Sequence, residues 1–115
     1  MNERYEKFAR LMKALSDLNR LMIVELLSAG ELCTCCILEQ FQIKQSTLSH
    51  HMKILCECGL VNGRKEGKLR YYSLNQSTIS MYQTFFSSIT SNTEFVPDLT
   101  ARQIHSQCNH GSKVG

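Results

Sequence analysis

The stretch Gln45-Ser46-Thr47-Leu48-Ser49-His50-His51-Met52-Lys53-Ile54-Leu55-Cys56-Glu57-Cys58, closed by Gly59, decides how this chain folds. Leu48, His51, Met52 and Leu55 recur at steps of three and four, so they share one face of a helix and leave Ser46, Ser49, His50 and Lys53 on the other. One side packs and the other is polar. Before it, residues 31–41 read as a short helical segment with Leu38 and Phe41 three apart, and Gln42-Ile43-Lys44 is a brief connection. A short helix, a tight turn and a second helix with exposed polar residues early in its length are the parts of a helix-turn-helix, whose second helix enters the DNA major groove.

Working outward, Tyr5, Phe8, Leu11, Met12 and Leu15 place a first helix over residues 3–16. Leu18, Leu21, Met22, Val24, Leu26 and Leu27 follow a Ser16-Asp17 start signal and stop before Gly30, giving a second, mostly buried helix. On the other side, Leu60-Val61 opens a strand, Glu66-Gly67 offers turn chemistry, and Leu69-Arg70-Tyr71-Tyr72-Ser73-Leu74 has the alternation of a returning strand. Ile79, Tyr82, Phe85, Phe86 and Ile89 form a last amphipathic helix with more apolar surface than a small monomer covers. The expected fold is mainly α with a small β-hairpin wing, a dimeric winged helix-turn-helix. Residues 1–91 would form the DNA-binding and dimerisation domain, and residues 92–115 a flexible C-terminal tail.

A chain of 115 residues, 43% hydrophobic and 20% charged, is expected to make one globular domain, which sets aside multidomain enzymes. Its longest apolar stretch, residues 21–27, is interrupted by Glu25 and falls short of the roughly 18 to 20 residues of a membrane helix. The first seven residues mix both charges with no hydrophobic core after them, so no secretory signal is expected and the compartment is the cytosol, with reduced thiols. The net charge of +3 is uneven: residues 44–75 carry +4 and the rest −1. That concentration on the second helix and the wing suits phosphate neutralisation. Gln45, Ser46, Ser49 and His50 are the candidates for reading base edges. Thr47 and Lys53, with Arg64, Lys65, Lys68 and Arg70 of the wing, are the candidates for phosphates.

Of six cysteines, Cys33, Cys35 and Cys36 fall within four residues at an element boundary, which small-residue core filling does not account for. Three thiols suit a soft, thiophilic ion. On a regular helix Cys33 and Cys36 share a face, whereas Cys33 and Cys35 stand about 200° apart. Ligation through Cys33 and Cys35 would therefore unwind the first turn, so ligand and DNA-competent geometry compete. Cys58 reads as a core residue and Cys56 as a surface thiol. His105, Cys108 and His110 in the tail read as incidental. A thiol enzyme would need a positioned base, and no histidine is near the cluster in sequence, so no enzyme is expected.

Ala14-Leu15-Ser16-Asp17 with Arg20, Glu31-Leu32-Cys33-Thr34-Cys35, the residue 45–55 helix, Gly59-Leu60-Val61 and residues 64–74 together resemble the ArsR/SmtB family of metal-responsive winged-helix repressors, over residues 7–89. The resemblance implies a homodimer joined through the first and last helices, here Phe8, Leu11, Tyr82, Phe85, Phe86 and Ile89, bound to inverted-repeat operator DNA and released by an inducer. The Glu-Leu-Cys-x-Cys motif is that of the arsenic- and antimony-sensing type. Cys36 stands where that type usually has Asp, and Leu38 where it has a third Cys, so Cys36 is the nearest candidate for a third thiolate. The cadmium- and lead-sensing type adds cysteines from an N-terminal extension, and none precedes Cys33. The zinc-sensing type uses acids and histidines on the last helix, and residues 77–91 contain neither. The expectation is an operon repressor with As(III) or Sb(III) as inducer and no catalytic cofactor or membrane partner. The alternative is a repressor of the same fold responding to cadmium, lead, zinc or thiol oxidation.

Overall fold

The computed structural model describes residues 2–91, and the chain divides into two units, Met1–Gln83 and Thr84–Gly115. The expected tail, with His105, Cys108 and His110, lies outside the described residues. The elements are α1 (Asn2–Ala14), α2 (Leu18–Leu27), β1 (Leu32–Cys33), α3 (Thr34–Glu39), α4 (Gln45–Glu57), β2 (Val61–Glu66), β3 (Leu69–Leu74) and α5 (Gln76–Thr90). No helix of the described residues is long and apolar enough to cross a membrane.

In the first unit, α1 ends at Ala14 and the chain re-enters a helix through Asp17, whose carboxylate accepts from the backbone N–H of Arg20 at 3.1 Å. This is the expected N-cap. Arg20 then does two further things: its Nε donates to the carbonyl of Ala14 at 2.5 Å, and its Nη1 meets Nδ1 of His51 at 3.1 Å. One guanidinium thus closes the end of α1 and reaches the buried face of α4. The second helix departs from expectation. Ile23 and Leu27 are its buried residues, whereas Leu18, Leu21 and Met22 are exposed. A helix apolar almost all round gives periodicity no single face to select.

The packed face of α4 is as expected, with Leu48, His51, Met52 and Leu55 all buried. It ends in a Schellman arrangement: the N–H of Gly59 donates to Cys56 O and that of Leu60 to Leu55 O, with Gly59 at φ +84. Leu55 and Leu60 are both buried, as that motif favours. The wing turns at Gly67, φ +64, followed by a residue without positive φ, which is the type II′ pattern that matches strand twist.

The expected two-stranded wing is a three-stranded antiparallel sheet in the order β1-β3-β2. Leu32 pairs with Tyr72 and Cys33 with Tyr71, while β2 pairs along β3 from Val61–Leu74 to Glu66–Leu69. Periodicity cannot reveal a strand two residues long. The core gathers Leu11, Ala14, Ile23, Leu27, Ile37, Leu48, Met52, Leu55, Leu60, Val61, Tyr72 and Tyr82. Tyr82 donates its hydroxyl to Cys58 O at 2.9 Å and packs edge-on against Phe8, ring centroids 6.0 Å apart. In the second unit the last turns of α5 carry hydroxyls that bond back to preceding carbonyls, Ser88 to Phe85 and Thr90 to Phe86.

Burial pushes the His51 imidazole below its ordinary 6.5, with the Asp17 charge opposing and the Arg20 and His50 charges reinforcing the shift. Nδ1 can accept from Arg20 only in the neutral ring. A depressed folded pKa means that the unfolded chain takes up the proton first, so this stability is complete above about 6.5 and is lost as pH falls toward the folded value. The urea midpoint should fall between about pH 7.5 and about pH 5.5, and less so in His51→Gln. Equal pH dependence in the two proteins would contradict this assignment.

Candidate DNA-reading groove and cysteine site

The polar face of α4 looks along a groove of 580 Å³ whose other wall is the wing. Gln45, Ser49 and Lys53 enter it from α4, and Lys65, Lys68 and Arg70 from the wing, over Met52 and Tyr72. Register explains the grouping. Lys65 faces Arg70 and Gly63 faces Tyr72, so these alternate residues share one face of the sheet. Of the other expected DNA-reading residues, Ser46, Thr47 and His50 are exposed on α4 but do not line the groove.

Arg64 stands apart from the other expected phosphate ligands. It pairs with Tyr71 and so points to the opposite face of the wing. There its Nε and Nη2 donate to the two carboxylate oxygens of Glu31, each at 2.8 Å, and its Nη1 donates to Glu66 at 2.7 Å. Its guanidinium carbon lies 4.6 Å from the centroid of the Tyr71 ring. Arg64 holds the Glu31 carboxyl below the usual carboxylate range. A charge already answered by two carboxylates is a poor phosphate ligand, and no local sequence signal announces an ion pair 33 residues apart.

The three clustered cysteines are divided by the backbone. Cys33 is not in a helical first turn; it ends β1 and precedes α3 with extended φ −84 and ψ 163. Cys33 therefore lies on no helical face, although its sulfur still meets that of Cys36 at 3.4 Å. The Cys36 amide, and after it the Cys36 thiol, draw the Cys33 thiol below its ordinary pKa, and contact with Cys33 raises that of Cys36. Cys35 lines the groove instead. Among the described residues no three His, Cys, Asp or Glu side chains are gathered closely enough to hold a metal ion. The α3 start is tied to β3 by Thr34, whose hydroxyl donates to Arg70 O at 3.3 Å. Cys58 is buried, as expected, but Cys56 is half-buried in the groove wall rather than a surface thiol, and burial pushes its pKa up.

The six expected dimer residues divide too. Leu11, Tyr82 and Phe85 are already buried and Phe8 is half-buried, whereas Phe86 and Ile89 are 52% and 44% exposed. Tyr5 and Met12 of α1 and Met81 of α5 are exposed as well. Periodicity finds an apolar face but not which part of it the chain covers for itself.

A packed helix presenting polar side chains beside a basic hairpin, joined to a short preceding helix by a tight turn, defines a winged helix-turn-helix DNA-binding regulator. A family model described as "Bacterial regulatory protein, arsR family" matches residues 17–63. The chain is 49% identical over 75 residues to the arsenical resistance operon repressor of Staphylococcus aureus, covering 65% of this chain and 72% of that protein. It is 43% identical over 72 residues to a cadmium resistance transcriptional regulatory protein CadC homolog of the same species, 62% of this chain and 60% of that one. The solution structure of a homodimeric winged helix-turn-helix DNA-binding domain from Mycobacterium bovis, a possible ArsR-family regulator, superimposes with a TM-score of 0.62 at 26% identity, over 81% of this chain and 90% of that one. The chain belongs to the arsR family of bacterial regulatory proteins; it is a DNA-binding transcriptional repressor and not an enzyme.

The unequal thiols make a direct prediction, since the thiolate is the reactive form. Under limiting iodoacetamide, Cys33 should be alkylated before Cys36 and Cys56, read by peptide mass spectrometry. Alkylation of Cys36 ahead of Cys33 would reverse the assignment.

Proposed function

We propose that the protein is a cytoplasmic, homodimeric repressor of an arsenic- or antimony-resistance operon, which leaves an inverted-repeat operator when As(III) or Sb(III) binds Cys33, Cys35 and Cys36. The observation that carries this reading is that Cys35 lines the same groove as Gln45, Ser49 and Lys53. Cys33 and Cys36 already have their sulfurs in contact, and two soft donors, one with a lowered pKa, fit a thiophilic ion. Completing a three-thiolate site then requires Cys35 to turn out of the groove and rejoin them. That movement would open the first turn of α3, whose Thr34, Cys35 and Leu38 line the groove between α4 and the wing. The sequence similarity to an arsenical resistance operon repressor supports the choice of ion.

In this reading Gln45, Ser46, Ser49 and His50 read bases, and Thr47, Lys53, Lys65, Lys68 and Arg70 meet phosphates. Residues 1–91 make the functional domain. The dimer forms through α1 and α5, with Tyr5, Met12, Met81, Phe86 and Ile89 as the exposed apolar contributors. A second copy would bring a second α4 to the other half of a two-fold operator.

Three outcomes are expected. Arsenite should weaken binding to a DNA fragment carrying the promoter upstream of the gene; unchanged affinity with all thiols reduced would sink the proposal. Cys33→Ser and Cys35→Ser should keep DNA binding and lose the arsenite response. Lys65→Ala and Lys68→Ala should each lower the slope of log affinity against log salt by about one, and Arg64→Ala by clearly less.

The 3.4 Å contact between Cys33 and Cys36 favours one second reading, a thiol-oxidation response. Peroxide would oxidise the two thiols to one disulfide and be reduced to water. A Cys33–Cys36 disulfide after mild peroxide treatment, together with DNA release and no arsenite response, would select it.

A further inference from the structure

The outward face of the sheet carries a connection that runs from the cysteine strand to the wing. Cys33 of β1 pairs with Tyr71 of β3, and Tyr71 pairs on its other side with Arg64 of β2, so the three form one row across the sheet with side chains on one face. Strands β1 and β2 are not neighbours; β3 lies between them. Arg64 nevertheless reaches Glu31, two residues before Cys33, by lying over the Tyr71 ring and donating through two nitrogens to both carboxylate oxygens. Such a fork fixes orientation as well as distance. Glu66 takes the third nitrogen and anchors the guanidinium to its own strand.

We propose that Glu31 is a positioning residue that couples the cysteine site to the DNA-binding wing through Arg64. This rests on the inducer reading of Cys33 given above. Strand β1 is two residues long, pairs only with β3 and runs directly into α3, so when Cys35 turns to join Cys33 and Cys36 on a ligand, the opening first turn of α3 pulls on this short, weakly held segment. Glu31 moves with that segment, and the bidentate geometry converts its movement into a shift of Arg64 and of the strand bearing it. The opposite face of that strand pair carries Lys65 and Arg70, which line the groove. Ligand capture on one face thus displaces the basic side chains on the other. Glu31 touches neither ligand nor DNA in this scheme.

The test uses Glu31→Gln, Arg64→Gln and the double variant in the full chain, with arsenite as the probe. Arsenite uptake is followed by thiolate-to-arsenic ultraviolet absorption, DNA affinity by fluorescence anisotropy, and folding by the unfolding midpoint. Wild-type protein is expected to lose DNA affinity by about tenfold or more on arsenite uptake, within the usual range of coupling between sites. Glu31→Gln should take up arsenite as wild type does, with the same unfolding midpoint, yet lose affinity by only about threefold or less. Arg64→Gln should behave alike and the double variant no worse, because both remove one connection. Full arsenite-driven release in Glu31→Gln, or independent additive effects of the two substitutions, overturns the coupling role while leaving the inducer site standing. Wild-type uptake without loss of DNA affinity overturns the inducer reading itself, and the coupling with it.

Discussion

The backbone pairing of Leu32 with Tyr72 and of Cys33 with Tyr71 is the constraint from which the rest of the site follows. It turns an isolated hairpin, which would be marginal alone, into a three-stranded sheet with two distinct faces. Tyr72 faces inward and is buried, in the company of Val61, Leu60 and the packed side of α4. Tyr71 faces outward, under the guanidinium of Arg64. Because β1 runs straight into α3, the same two residues also set where the clustered thiols lie relative to α4. Cys33 is left on the sheet and Cys35 on the groove.

Electrostatics follows the same division. The wing's cations do not form one undifferentiated patch. Lys65 and Arg70 share a face with Tyr72 and, with Lys68, line the groove across from Lys53, whereas Arg64 is engaged by Glu31 and Glu66 on the other side. An exposed ion pair stabilises a protein little, since water and salt screen it and two long side chains must be held still. Its value here is geometric. A bidentate contact that spans a strand constrains where the wing can point, and a regulator needs the wing's position more than it needs added stability.

Inside the first unit a second long-range connection orients α4. Arg20 binds the last carbonyl of α1 and the imidazole of His51, while its own amide is capped by Asp17. The buried histidine on α4 is therefore satisfied by a residue far away in sequence rather than by a ligand. Tyr82 does the corresponding work at the C-terminal end of α4, where its hydroxyl donates to the Cys58 carbonyl. The helix that presents Gln45, Ser49 and Lys53 is thus held at its middle by a hydrogen bond to α2 and at its C-terminal end by one to α5.

Much was written in local pattern. The three-to-four spacing of Leu48, His51, Met52 and Leu55, the Asp17 cap, Gly59 and Gly67 each act within a few residues, and the helices and hairpin they specify form where expected. The concentration of positive charge, the cysteine cluster and the family resemblance were equally legible, because composition and spacing are properties of the chain. What tertiary structure alone decided were relations between distant residues. Leu32 and Cys33 become a strand only because β3 offers its edge. Arg64 is turned from the groove by strand register and engaged by Glu31, 2.8 Å away in space and 33 residues away in sequence. Leu11 and Tyr82 are covered within the chain while Leu18, Leu21 and Met22 are not. Periodicity reports that a face is apolar; which neighbour covers it, and which charge answers which, depends on packing that brings together residues the chain keeps apart.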